Sequence, residues 1–128
     1  MAGRDVVGTN VVGTKRSRRQ RDDMAVRIVL CTVPSEDVAE SIARPLLEEG
    51  LVACVNVIPG VRSLYRWQGK VEDERELLLL IKSSVANYEK LEARIRELHP
   101  YQVCEVLALD VAAGSEPYLA WLLGETAR

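Results

Sequence analysis

Five consecutive aliphatic residues, Leu77, Leu78, Leu79, Leu80 and Ile81, constrain this chain more than any other feature. The run is about a quarter of what a membrane-spanning helix needs, so no membrane segment is expected. Read as a strand, it sends alternate side chains to opposite faces of a sheet. Leu77, Leu79 and Ile81 face one way, Leu78 and Leu80 the other. Burying a large apolar side chain is worth about 1.5–3 kcal/mol, so leaving either set wet would forfeit several kcal/mol. Both faces of the sheet therefore need dry cover.

The flanking segments say what can supply it. Residues 26–33 are a β-branched run and read as a buried strand. Ser35 is a helix N-cap, followed by Val38, Ile42 and Leu46 at a spacing of four. Pro45 sits inside that helix and should kink or strain it. Gly50 closes it as a C′ residue. Residues 51–67 read as a long strand, bent at Ile58-Pro59-Gly60, where a bulge or edge is expected because proline cannot donate to a ladder. Gln68-Gly69 is a tight hairpin turn into a strand over residues 70–84. Tyr88, Leu91, Ile95 and Leu98 mark a helix over residues 86–98, stopped by His99-Pro100. Residues 103–111 read as the last strand, and a short helix holds Tyr118, Leu119, Trp121 and Leu122.

The order βαββαβ plus a C-terminal helix is the ferredoxin-like pattern of an α+β domain. Its two main helices cover one face of the antiparallel sheet. The second face then needs a neighbour, and an apolar face of this kind marks an association surface. Physics alone leaves dimer and trimer open. The competing reading is that the C-terminal helix folds over the open face of its own subunit.

Composition narrows the function. Residues 1–23 hold six Lys/Arg against three Asp, while the remainder holds 11 Lys/Arg against 16 Asp/Glu. A mildly acidic domain is a poor nucleic-acid binder, because phosphate contacts need clustered positive charge. Residues 1–23 read as a disordered extension, with residues 24–128 the folded domain. Asp22-Asp23 stands where a secretory signal would need an apolar stretch. The three cysteines, Cys31, Cys54 and Cys104, are scattered on apolar segments and read as reduced thiols of a cytoplasmic protein. One histidine, His99, no paired carboxylates in a catalytic motif and no cofactor fingerprint argue against an enzyme.

Three segments resemble the CutA divalent-cation tolerance family: residues 30–34 (Leu-Cys-Thr-Val-Pro), residues 53–70, which contain Cys54, Asn56, Pro59, Gly60, Tyr65, Trp67, Gly69 and Lys70, and residues 99–105, which open His99-Pro100-Tyr101. The similarity extends over residues 24–126 and stops before Met24. It implies a homotrimer similar in architecture to the PII signalling proteins, cytoplasmic, and concerned with tolerance of copper and other divalent metals. No cofactor is required; copper or another divalent metal ion is the ligand the resemblance suggests.

The ferredoxin-like topology gathers the end of the first strand, the hairpin loop and the turn after the second helix at one end of the sheet. Loops converging on a rigid scaffold make ligand sites. Cys31, His99 and Cys104 are the candidate metal ligands, since thiolate and imidazole suit copper(I) or zinc. Trp67, Lys70, Tyr101 and Glu105 are candidate ligand-binding residues. Some relatives carry an extra thiol and imidazole where Arg94 and Leu98 stand here, and Cys104 and Gln102 replace the usual proline and glutamate. Duller roles exist for each: His99 bonding a carbonyl, Cys31 and Cys54 packing as small hydrophobes, Trp67 and Tyr65 filling an interface. Two other functions stay open, a PII-like trimer binding a nucleotide or small anion, and a structural trimeric scaffold. The expected partners are further copies of the chain and a metal ion or small molecule.

Overall fold

The computed structural model describes residues 25–126. The expected N-terminal extension lies outside them. Seven elements follow in the order β1 (Val26–Val33), α1 (Glu36–Glu48), β2 (Cys54–Trp67), β3 (Lys70–Ser84), α2 (Tyr88–Leu98), β4 (Leu107–Asp110) and α3 (Glu116–Thr126). The four strands form one antiparallel sheet in the order β2-β3-β1-β4. This is the ferredoxin-like arrangement read from the sequence.

Local chemistry sets the boundaries. Ser35 caps α1 by accepting a hydrogen bond from the Val38 amide at 3.2 Å. The helix runs from Glu36 to Glu48 with Pro45 inside it. Pro45 leaves the Ser41 carbonyl without its helical donor, and Ser41 is exposed, so water can replace the bond. At the other end the Gly50 amide donates to Leu47 and the Leu51 amide to Leu46, with Gly50 at φ +71°. That left-handed glycine closure occupies Leu51, so β2 starts at Cys54 instead of residue 51.

Val29, Cys31 and Val33 of β1 and Leu77, Leu79 and Ile81 of β3 share one face with Ala39, Ile42, Leu46, Leu91 and Ile95 of the two helices. This is the core, and it takes the odd-numbered half of the aliphatic run. The other half faces a wetter surface. Leu78 and Leu80 are half-buried, while Ile58, Leu107 and Leu109 are exposed on the same face. Helix α3 covers part of this face. It buries Leu122 and sets the Tyr118 ring 5.7 Å from the Lys82 ammonium. The Asn87 side chain ties its end down through the Thr126 carbonyl at 2.8 Å. The C-terminal helix thus closes one portion of the open face and leaves the β4 side bare.

Strand β1 pairs with β3 only from Leu77 to Ser84. Residues 70–76 of β3 pair with residues 61–67 of β2 alone, as a two-stranded ribbon projecting past the sheet. The ribbon begins at a bulge between Ile58 and Val61, where Gly60 takes φ +78°. It ends in the Gln68-Gly69 turn, both residues at positive φ.

Candidate functional site around the base of the ribbon

Strand β4 is shorter than the sequence suggests, and the reason is a histidine. Pairing of β1 with β4 stops at Leu30 and Leu107. Beyond that point the His99 Nε2 lies 2.8 Å from the Thr32 carbonyl. The Tyr101 amide donates to His99 Nδ1 at 3.1 Å. An Nδ1 that accepts fixes the neutral tautomer with its proton on Nε2, donated to Thr32. His99 is buried, 6% exposed, and its own amide caps α2 through the Ile95 carbonyl. The imidazole takes a β1 carbonyl and holds the following segment off the sheet. Residues 101–106 therefore cross over the end of β1 without pairing to it.

That crossing gathers several of the residues singled out in the sequence. Cys31 is fully buried. Burial first, then the nearby Cys104, Glu105 and Glu76, push its thiol up to about 12. At neutral pH Cys31 is a protonated thiol, its Sγ 3.8 Å from the Thr32 carbonyl. Tyr101 stacks obliquely on His99 with ring centroids 4.8 Å apart. Its hydroxyl is also raised, by burial and then by the charges of Glu76 and Glu74. Cys31, His99, Tyr101, Cys104 and Glu105 thus share one neighbourhood at the foot of the ribbon.

Trp67 and Lys70 do not join them within the chain. They face each other across the hairpin turn. Seven register steps separate Lys70 from Leu77, so at about 3.3 Å per residue the tip lies roughly 23 Å beyond the end of β1. The hairpin loop is at the expected end of the sheet but overshoots it, because β3 continues well past its last β1 partner.

One residue given no site role in the sequence reading, Glu76, belongs to the cluster through its nearness to Cys31 and Tyr101. Glu76 is 6% exposed and makes no ion pair among the described residues. Tyr65 lies across from Glu72 on the same face of the ribbon. Partial desolvation, then the nearby carboxylates of Glu74, Glu72 and Glu76, push its hydroxyl up to about 12. The alternation Glu72, Glu74, Glu76 stands in the sequence, but the burial of Glu76 alone among the three is set by the tertiary structure.

The donor set for a metal does not close among the described residues of the chain. Among the described residues no three His, Cys, Asp or Glu side chains are gathered to hold an ion. Both His99 nitrogens are engaged and Cys31 carries its proton. Cys104, half-buried, and Glu105, exposed, are the ligating groups open to solvent. All three thiols are free.

The CutA1 family, described as "CutA1 divalent ion tolerance protein", matches residues 27–125. The chain is 52% identical over 99 residues to "Divalent-cation tolerance protein CutA" of Thermus thermophilus, covering 77% of this chain and 96% of that protein. It is 47% identical over 91 residues to "Protein CutA homolog" of Xenopus laevis, covering 71% of this chain and 60% of the longer relative. The solved structure of the Thermus thermophilus divalent cation tolerance protein superposes with a TM-score of 0.77 at 51% identity, over 79% of this chain and 98% of the other.

Proposed function

This chain belongs to the CutA1 divalent ion tolerance family, and from that premise we propose that it acts as a homotrimer in copper and divalent-cation tolerance, binding metal ions in clefts between subunits instead of catalysing a reaction. The observation that carries the reading is the projecting ribbon. A lone two-stranded hairpin is marginal in water. Here one exposes Leu64, Tyr65, Trp67 and Val71, next to a sheet face that leaves Leu107 and Leu109 uncovered. Neighbouring subunits supply the missing cover for both surfaces. A ribbon reaching roughly 23 Å past its own sheet brings Trp67 and Lys70 to a neighbour's 99–105 crossing. The cleft so formed completes the ligand set.

Within that cleft Cys104 is the first ligand and Glu105 an oxygen donor beside it. Cys31 becomes a ligand only by losing its proton, so metal capture releases protons and strengthens with rising pH. A soft thiolate pair suits copper(I). His99 serves as a positioning residue: it fixes the loop that carries Cys104. Three free thiols favour a reducing compartment, which supports a cytoplasmic setting.

The test is a copper(I) titration of the assembled protein under anaerobic conditions, followed by native mass spectrometry. Copper bound in the parent protein and lost in Cys104→Ser, with the assembly intact, supports the reading. A silent metal titration alongside a clear nucleotide isotherm replaces it with an anion-sensing trimer.

A further inference from the structure

The ribbon has two electrically opposite faces. Directly opposed residues of an antiparallel pair point to the same side. The register therefore places Val61, Ser63, Tyr65 and Trp67 with Glu76, Glu74, Glu72 and Lys70 on one face. Arg62, Leu64 and Arg66 lie with Arg75, Asp73 and Val71 on the other. The first face carries three carboxylates against one ammonium, with no ion pair to any of them among the described residues. The second carries three guanidiniums against one carboxylate. Asp73 is taken by Arg62 in a two-bonded pair at 2.9 and 2.7 Å, which leaves Arg66 and Arg75 free of ion pairs among the described residues. Each face also exposes apolar surface, Tyr65 and Trp67 on the acidic side, Leu64 and Val71 on the basic side.

We infer that the acidic face of one subunit's ribbon docks on the basic face of the next, and that this pairing dictates a ring and forbids a two-fold dimer through the same surface. The inference rests on the homotrimer proposed above and says how it closes. A two-fold contact is isologous and would set acid on acid or base on base. A head-to-tail contact sets unlike faces together, and rotation then closes it into a ring. The apolar residues of both faces leave water in the same step. Glu76 is the innermost acid, buried and without an ion pair among the described residues. A neighbour's guanidinium would give it a counter-charge. Opposite charge speeds the encounter and rejects wrong registers, whereas like charges in contact are strongly repelled.

Three variants test this by sedimentation and native mass spectrometry at micromolar concentration. Glu72→Lys with Glu74→Lys makes both faces basic. Arg66→Glu with Arg75→Glu makes both acidic. Each pair of substitutions should weaken assembly by about a hundredfold or more, and the loss should shrink as salt screens the repulsion. All four substitutions together exchange the signs of the two faces. That protein should form trimers again, yet not enter mixed trimers with the parent, since its faces repel the parent's. Recovery by the fourfold variant also shows that the substitutions leave the subunit foldable. A parent trimer with both double variants assembling normally would overturn the inference and leave the trimer standing. Free mixing of the fourfold variant with the parent would overturn it as well. A parent protein that is not a trimer would instead remove the reading beneath it.

Discussion

Replacing His99 by alanine removes the clamp between the second helix and the first strand, and the structure sets the size of the loss. Two polar groups are orphaned: the Thr32 carbonyl, 2.8 Å from Nε2, and the Tyr101 amide, 3.1 Å from Nδ1. A buried group left unsatisfied costs about 1–3 kcal/mol, so these two part-buried groups cost about 2–6 kcal/mol at most. Tyr101 also loses the ring against which it packs. Urea unfolding at one fixed protein concentration reads the effect, so that any association contributes equally to parent and variant. With a slope of about 1–3 kcal/mol per molar urea, the midpoint should fall by roughly 1–2 M. His99→Gln keeps a donor near the Thr32 carbonyl and should recover about half of the loss. The deficit should be the same in chelator, since a hydrogen-bonded clamp needs no metal. A His99→Ala unfolding free energy within about 0.5 kcal/mol of the parent's would refute the clamp.

The buried thiol makes a pH prediction with a definite sign. Cys31 is raised from 9.0 to about 12 on folding, so between those values the folded state holds a proton that the unfolded state has lost. Its stabilising contribution is complete below pH 9 and falls as pH climbs toward 12, by roughly 1.4 kcal/mol per unit. Unfolding midpoints measured from pH 8 to 11 should decline more steeply in the parent than in Cys31→Ala; equal slopes would contradict the assignment. At the hairpin tip, Gln68 holds φ 49° beside Gly69 at φ 79°. Asparagine tolerates that left-handed region better, so Gln68→Asn should raise stability by about 0.5–1 kcal/mol in thermal unfolding, and a loss would show that the tip is not a primed turn.

The fold was legible because its main signals are local. The alternation through Leu77 to Ile81, the cap at Ser35, the stop at His99-Pro100 and the Gln68-Gly69 turn each depend on residues close in sequence. Boundaries failed where a distant group intervened. Residues 51–53 have strand-like composition, yet Leu51 closes α1. Residues 103–106 have it too, yet the His99 bond to Thr32 lifts them off β1. The site was half legible for the same reason. Convergence of residues 31–33 with 99–105 followed from topology. The overshoot of Trp67 and Lys70 followed from register, which sequence spacing does not give. Glu76 has the sequence context of an ordinary ribbon carboxylate, yet it is buried where Glu74 is exposed.

The account depends on a sheet and a ribbon that one subunit leaves partly uncovered. Sedimentation equilibrium of the full chain at micromolar concentration tests it most directly. The account predicts a single species near three times the 14.3 kDa subunit mass. A stable 14.3 kDa monomer would contradict it.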